Sequence, residues 1–201
     1  MVFSDKKILE DVLKKYGISY TRQAFKGVKN RKAPAQLKRE VHFNLNEMPY
    51  DTSEAFICET LIFPVMREVW KVFKDDFMLW SHRSIVVNTE LTGTPDYLIA
   101  KRSAQGMIFL ETPYVAVVEA KKDDFTGGWG QCSLEMYALQ KINDNPQITI
   151  YGIVSNGDSW EFASLLDTQF TKFTQEYKIQ ELDAIFSLLC QMLELSKKAP
   201  I

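Results

Sequence analysis

The sequence predicts the α/β class, with a central mixed sheet flanked by helices. Three observations carry this reading. A long stretch with helical apolar spacing, residues 56–73, precedes strand-like segments. The β-branched run Val115-Ala116-Val117-Val118 reads as a strand buried on both faces. Helical and strand patterns then alternate to the end of the chain, the order that packs helices on a sheet. At 201 residues, 46% hydrophobic and 25% charged, the composition excludes a disordered chain and the length predicts a single folded unit.

In chain order, residues 4–16 place Ile8, Val12 and Leu13 at helical spacing before Gly17, a short amphipathic helix with a glycine stop. Residues 17–38 read as a basic loop. Val41, Phe43 and Leu45 alternate with His42, Asn44 and Asn46, the period-two pattern of a half-buried strand ended by Pro49. Asp51-Thr52-Ser53 supplies N-cap residues for the helix that follows, and Pro64 should kink or split it, because proline removes a backbone donor and crowds the preceding turn. Strands are expected over residues 77–87, 94–101 and 114–119. Gly127, Gly128 and Gly130 then break the chain as a flexible connection, with Trp129 as a hydrophobic cover, before a helix over residues 131–142. A buried strand over 148–154, the Asn156-Gly157 hairpin signal, strands over 160–166 and 169–174 and an amphipathic helix over 179–195 complete the chain.

The formal net charge of −2 excludes a uniformly basic nucleic-acid-coating protein. It hides an asymmetry: residues 5–40 hold eleven basic and four acidic side chains, net +7, which leaves −9 on the rest. We therefore read residues 1–40 as a basic N-terminal helix and arm and residues 41–201 as a single α/β domain. Such an arm suits approach to phosphates; the plainer reading is a solubilising segment. Cys58, Cys132 and Cys190 are dispersed and odd in number, so neither a disulfide framework nor a zinc knuckle is expected. No signal-peptide pattern or membrane-length apolar run occurs, so the expectation is a soluble, cytoplasmic protein without a membrane partner.

One stretch carries chemistry. Asp96 follows Pro95, and Glu119-Ala120-Lys121 closes the apolar strand. Side chains alternate along a strand, so Glu119 and Lys121 project together while Ala120 points away. If the strand of Asp96 is the hairpin neighbour, a second carboxylate joins them. Converging carboxylates repel unless a cation lies between, and hard oxygen ligands favour Mg²⁺, with Mn²⁺ as a substitute. Such an ion, held by Asp96, Glu119 and the Ala120 carbonyl, would polarise a phosphate and activate water, with Lys121 orienting that water. Singly, Asp96 also reads as a turn residue and Glu119 with Lys121 as a surface pair at a strand end.

Pro95-Asp96 and Glu119-Ala120-Lys121 resemble the two halves of the PD-(D/E)XK nuclease motif, over about residues 52–155. The resemblance implies the restriction-endonuclease-like αβββαβ core and a metal-dependent phosphodiesterase cleaving DNA. It also implies an acid on the helix before the hairpin, here Glu59 or alternatively Glu54, and a polar residue on the following helix, where Gln131 resembles the glutamine of the exonuclease-like branch. That branch adds a tyrosine four residues later; here the position is Glu135, with Tyr137 two further on, which departs from the pattern. Arg22, Lys26, Lys29, Arg31 and Lys32 would contact DNA phosphates. Many such enzymes act as homodimers, and the helix over 179–195 offers a face for one, although packing on the sheet explains that face equally. The alternative reading is a catalytically silent nucleic-acid-binding or protein-interaction module on the same fold.

Overall fold

The computed structural model describes residues 8–198, a mixed α/β fold with helices on both faces of a mixed central sheet. The start of the first expected helix, residues 4–7, lies outside the described residues. α1 (Leu9–Tyr16) ends at Gly17, whose φ of +65° is the left-handed conformation a glycine stop requires. Then come β1 (Ser19–Gln23), α2 (Ala35–Glu47), α3 (Glu54–Ile57), a wide π turn (Cys58–Ile62) and α4 (Phe63–Val72). β2 (Phe77–Ser81), the two-residue strands β3 (Ile85–Val86) and β4 (Thr92–Gly93), β5 (Tyr97–Arg102) and β6 (Leu110–Ala120) follow. α5 (Phe125–Asn143), β7 (Ile150–Ser155), β8 (Ser159–Leu166), β9 (Gln169–Lys178) and α6 (Leu182–Lys198) complete the chain.

Seven strands form one sheet in the order β1-β9-β8-β7-β6-β5-β2. β6 runs parallel to β7, and β1 parallel to β9; the remaining pairs are antiparallel. One face carries α2, the α3–α4 rod and α6, whose Leu37, Leu61, Val65, Ile185 and Leu189 pack on Ile99, Val118 and Phe162. The other carries α1 and α5, with Leu134, Met136 and Leu139 against Leu98, Val117 and Val154. Val117 and Val118, buried on opposite faces, make β6 the central strand its sequence describes. α5 crosses over from β6 to its parallel neighbour β7, so the carboxyl ends of both strands and the start of antiparallel β5 share one rim, the place where open α/β sheets form crevices.

The structure corrects several sequence expectations. Residues 41–46 are helical, within α2: Leu37, Val41 and Asn44 are buried at helical spacing while Phe43 is 58% exposed. A six-residue alternation fits both periods, and the preceding Ala35-Gln36-Leu37-Lys38 are strong helix formers. Residues 19–23 are not loop but an edge strand held by pairing with β9, which no apolar alternation announces. The strand expected over residues 77–87 stops at Ser81, because His82 turns the chain at φ +49°. Gly127, Gly128 and Gly130 lie inside α5, which begins at Phe125 with the Asp124 carboxylate accepting from the Gly127 N–H at 2.8 Å.

Pro64 does interrupt its helix, as a π turn ahead of α4. Proline offers no N–H to the carbonyl one turn back, and the Thr60 carbonyl is instead taken by the Asn44 side-chain amide at 2.7 Å, in a buried setting. This bond ties α2 to the α3–α4 rod. Replacing Asn44 with alanine leaves a buried carbonyl unmet and should destabilise the protein by about 1–3 kcal/mol, read as a lower urea midpoint at unchanged m-value.

Candidate functional site

Asp96 stands immediately before β5, and Tyr97 pairs with Val118 of β6, so the two halves of the motif meet at the shared rim. The Asp96 Oδ2 accepts the Ala120 N–H at 2.7 Å, and its Oδ1 lies 3.5 Å from His82 Nε2. Glu119, two residues on from the inward-facing Val117, points to the α5 face. Its Oε1 accepts from Lys121 Nζ at 2.8 Å; its Oε2 is buried and has no partner. The side chain of Ala120 is buried on the opposite face, as the alternation requires. Asp96, Glu119 and Lys121 therefore converge.

The acid that the preceding helix brings to this cluster is Glu54. Its Oε2 lies 3.9 Å from Lys121 Nζ, and its Oε1 accepts from the Lys122 backbone N–H at 3.3 Å. Glu59 is exposed on the π turn and forms no hydrogen bond or ion pair with the cluster. The Ser53 cap starts α3 at the rim, its Oγ accepting from Phe56 N–H at 3.1 Å, which sets Glu54 there; the wide turn then shifts the phase of everything downstream. The chain contains both acids at positions a sequence cannot rank, because the π turn is not readable from spacing.

α5 closes the site from above. Gly128 allows this approach: a Cβ there would lie 2.8 Å from Lys121 Cγ and 2.9 Å from Val154 Cγ1. One turn along, Gln131 Nε2 donates to Glu135 Oε1 at 3.2 Å. Glu135 is fully buried, and its Oε2 also lacks a partner. Trp129, expected as a loose cover, is buried within α5; its indole N–H bonds Glu161 on β8, and Lys172 of β9 lies 3.5 Å from its ring while pairing with Glu161. Burial holds the Lys172 ammonium below its ordinary pKa despite that partner. This group pins the start of α5 to the sheet.

The electrostatics follow from burial. Desolvation, then the Asp96 charge, push the Glu119 carboxyl up to about 8, against the pull of Lys121. Burial also raises Asp96, opposed by the Ala120 N–H, His82 and Lys121. Glu135 is raised by burial first and by Glu119 second. Burial disfavours charge on Lys121, but Glu119 and Glu54 outweigh it and raise its pKa. Two unpartnered buried carboxylate oxygens cost about 1–3 kcal/mol each, a cost that a bound cation or its water would remove. The donor set, two hard carboxylates beside an ammonium, fits a divalent ion of the Mg²⁺ class, which needs only one or two protein carboxylates. Among the described residues, no group of three or more His, Cys, Asp or Glu is already disposed to hold a metal ion.

The basic arm is elsewhere. Lys29 and Arg31 pair with Glu194 at 2.6 and 3.1 Å, and Lys32 pairs with Asp183 at 3.2 Å, all on α6, across the sheet from α5. Backbone bonds continue the strap: Arg31 N–H to Ser187 Oγ and Ala33 N–H to Asp183 Oδ1. These cations pair with the chain's own acids while Lys29 and Lys32 stay largely exposed. Arg22 and Lys26 are exposed and make no ion pair among the described residues, but β1 is four strands from β6, about 19 Å across the sheet. Nearer the rim, exposed Arg83 and Lys122, chain neighbours of His82 and Lys121, are cations that sequence reasoning passed over. Helix 179–195 is likewise covered: Ile185, Phe186, Leu188 and Leu189 of α6 are buried in the chain's own core. The three cysteines are free and buried. No helix among the described residues is long and apolar enough to cross a membrane.

No protein-family model matches the chain, and comparison with curated proteins gives no match.

The raised Glu119 carboxyl has a linkage consequence. Its folded pKa lies above the ordinary 4.5, so the folded state holds a proton that the unfolded chain releases between about pH 5 and 8. With divalent ions chelated, stability should fall as pH rises through that window, by up to about 1.4 kcal/mol per pH unit for one proton. Glu119→Gln should flatten the slope. Urea unfolding from pH 5 to 8.5 measures both; an equal slope in the variant would assign the proton elsewhere.

Proposed function

We propose that the protein is a metal-dependent phosphodiesterase that cleaves DNA, on a restriction-endonuclease-like core. The observation that carries this reading is the convergence of Asp96, Glu119 and Lys121 on one rim, with a buried Glu119 oxygen left without a partner. The succession of the α3–α4 rod, β2, β5, β6, α5 and β7, with β3 and β4 as an insertion, supports it because it follows the αβββαβ order that the motif implies.

Asp96 and Glu119 would hold the Mg²⁺, or Mn²⁺ in its place, and Glu54 would take the auxiliary position expected of Glu59. When bound, the ion supplies charge to a phosphate oxygen and lowers the pKa of its water. The chain's own groups do the rest. Lys121, kept charged by Glu119 and Glu54, orients a water and offsets negative charge that develops on the phosphate. Asp96 is held in place by the Ala120 N–H, so its orientation does not depend on the ion. Gln131 steers Glu135 and, through it, the wall behind Glu119. Arg83 and Lys122 are available for flanking phosphates, with Arg22 and Lys26 further across the sheet.

Of the alternative, a catalytically silent nucleic-acid-binding or protein-interaction module, the protein-interaction half is favoured by one observation: the ion pairing of the arm cations on α6, which leaves less free positive charge for DNA. Cleavage assays separate the two. With Mg²⁺ or Mn²⁺, the wild type should cut a panel of single-stranded, double-stranded and branched DNA. Asp96→Ala and Glu119→Gln should lose both cleavage and Mn²⁺ uptake. Lys121→Met should lose about 10²–10³-fold in rate while still binding Mn²⁺. Mn²⁺ uptake by the wild type no tighter than by Asp96→Ala would rule the enzyme reading out.

A further inference from the structure

We propose that Glu135 is a positioning residue of this cation site, accepting hydrogen bonds from water carried by the ion that Asp96 and Glu119 hold. The inference rests on the metal-dependent reading above and adds to it a residue that the nuclease motif does not specify.

Glu135 exposes no surface, yet one of its carboxylate oxygens has no hydrogen-bond partner. Its other oxygen accepts from Gln131 at 3.2 Å, an intrahelical bond four residues apart that fixes the carboxylate. Its helical neighbours Cys132, Leu134, Met136 and Leu139 are buried in the apolar layer between α5 and the sheet. Among the described residues, no lysine, arginine or histidine forms an ion pair with it: Lys121 is committed to Glu119 and Lys172 to Glu161. The charges that act on Glu135 are those of Glu119, Asp96 and Lys121, the three groups of the rim.

An acid in such a place lacks two things, an ion-pair partner and an O–H or N–H donor for its second oxygen. Glu119 lacks a donor at its own Oε2. A hydrated divalent ion supplies both at once, since Mg²⁺ is bound through few protein ligands and keeps several waters as donors. Glu54 does not fill this role, because its side chain is 51% exposed and its oxygens face Lys121 and the Lys122 backbone. Gly128 allows α5 to lie on Lys121, and Glu135 follows two turns along the same helix, buried in the layer between α5 and the sheet into which Glu119 points.

Mn²⁺ binding to the full chain tests this, by calorimetry and by the electron paramagnetic resonance signal of free Mn²⁺. Glu135→Gln preserves shape, and Glu135→Leu removes all polarity. Both should fold in chelator and bind Mn²⁺ about 10–100-fold more weakly than the wild type, the usual effect of losing an outer hydrogen-bond partner. Mn²⁺ should raise their melting temperatures correspondingly less. Leu134→Ala loosens the same helix without touching the polar pocket and should leave Mn²⁺ affinity unchanged at a lowered melting temperature. Wild-type affinity in both Glu135 variants, with Glu119→Gln unable to bind, overturns this inference alone. A tenfold loss in Leu134→Ala also overturns it, since the effect would then be one of helix packing. Absence of Mn²⁺ binding by the wild type overturns it together with the metal-dependent reading.

Discussion

The rim of the sheet depends on one constraint: Glu119 is buried at the end of the central strand, with only one of its oxygens partnered. A carboxylate at 2% exposure must be neutralised, paired or attached to a cation. Lys121 meets half of that demand from the same strand face, two residues away. The remainder shapes the surroundings. Asp96 turns its carboxylate toward the Ala120 N–H, leaving Lys121 to Glu119, and α5 comes down on the lysine stem through Gly128. The Trp129, Glu161 and Lys172 group holds the start of that helix so that the pocket stays closed on the α5 side. Each of these features costs something locally, in a glycine within a helix or a buried lysine, and each is accounted for by holding Glu119 and Lys121 in place at the end of β6.

The central architecture was legible because it is written in periodicity. The run through Val115 and Val118, the Asn156-Gly157 turn and the helices bearing Leu61 and Leu189 are strong patterns, and each emerged as the element expected, with boundaries moved by a few residues. The N-terminal part was less legible, for a physical reason. β1 is an exposed edge strand whose existence depends on β9, some 150 residues later, and local sequence carries no sign of a distant partner. α2 was misread because six alternating residues satisfy a strand and a helix equally. The first turn of α5 was hidden by glycines, which weaken helical propensity but are needed where the helix backbone meets Lys121.

The site was legible where its geometry follows from strand alternation and not where it depends on helix phase. Glu119 and Lys121 share a face for reasons visible in two residues of sequence, and Asp96 joins them through hairpin pairing. Glu54 and Glu59 could not be ordered, since Glu59 sits on a π turn that Pro64 and Asn44 of another helix accompany and that spacing does not reveal. Glu135 stood out only as a departure from a tyrosine, and its significance needs the knowledge that α5 buries that side. A signal was present even so. Glu135 interrupts the otherwise apolar run Leu134, Met136, Ala138 and Leu139, and an acid within a buried helical segment is the kind of anomaly that marks chemistry.

The charge asymmetry of the chain has a different meaning once folded. The N-terminal cations neutralise Glu194 and Asp183 of α6, so much of the positive field spreads over the helical layer away from α5. What is left near the rim is Asp96, Glu119, Glu135 and Glu54 against Lys121 and His82, with Arg83 and Lys122 outside. Such a pocket repels a phosphodiester unless the carboxylates are protonated or screened, and protonation would remove the very oxygens that hold an ion. On the proposed reading Asp96 and Glu119 would have to give up their protons to hold a divalent ion, and the rim would be less negative toward an anionic substrate once they held it. The affinity for DNA and the affinity for the ion would then be coupled through the same acids, which makes the metal a condition for substrate binding as well as for its chemistry.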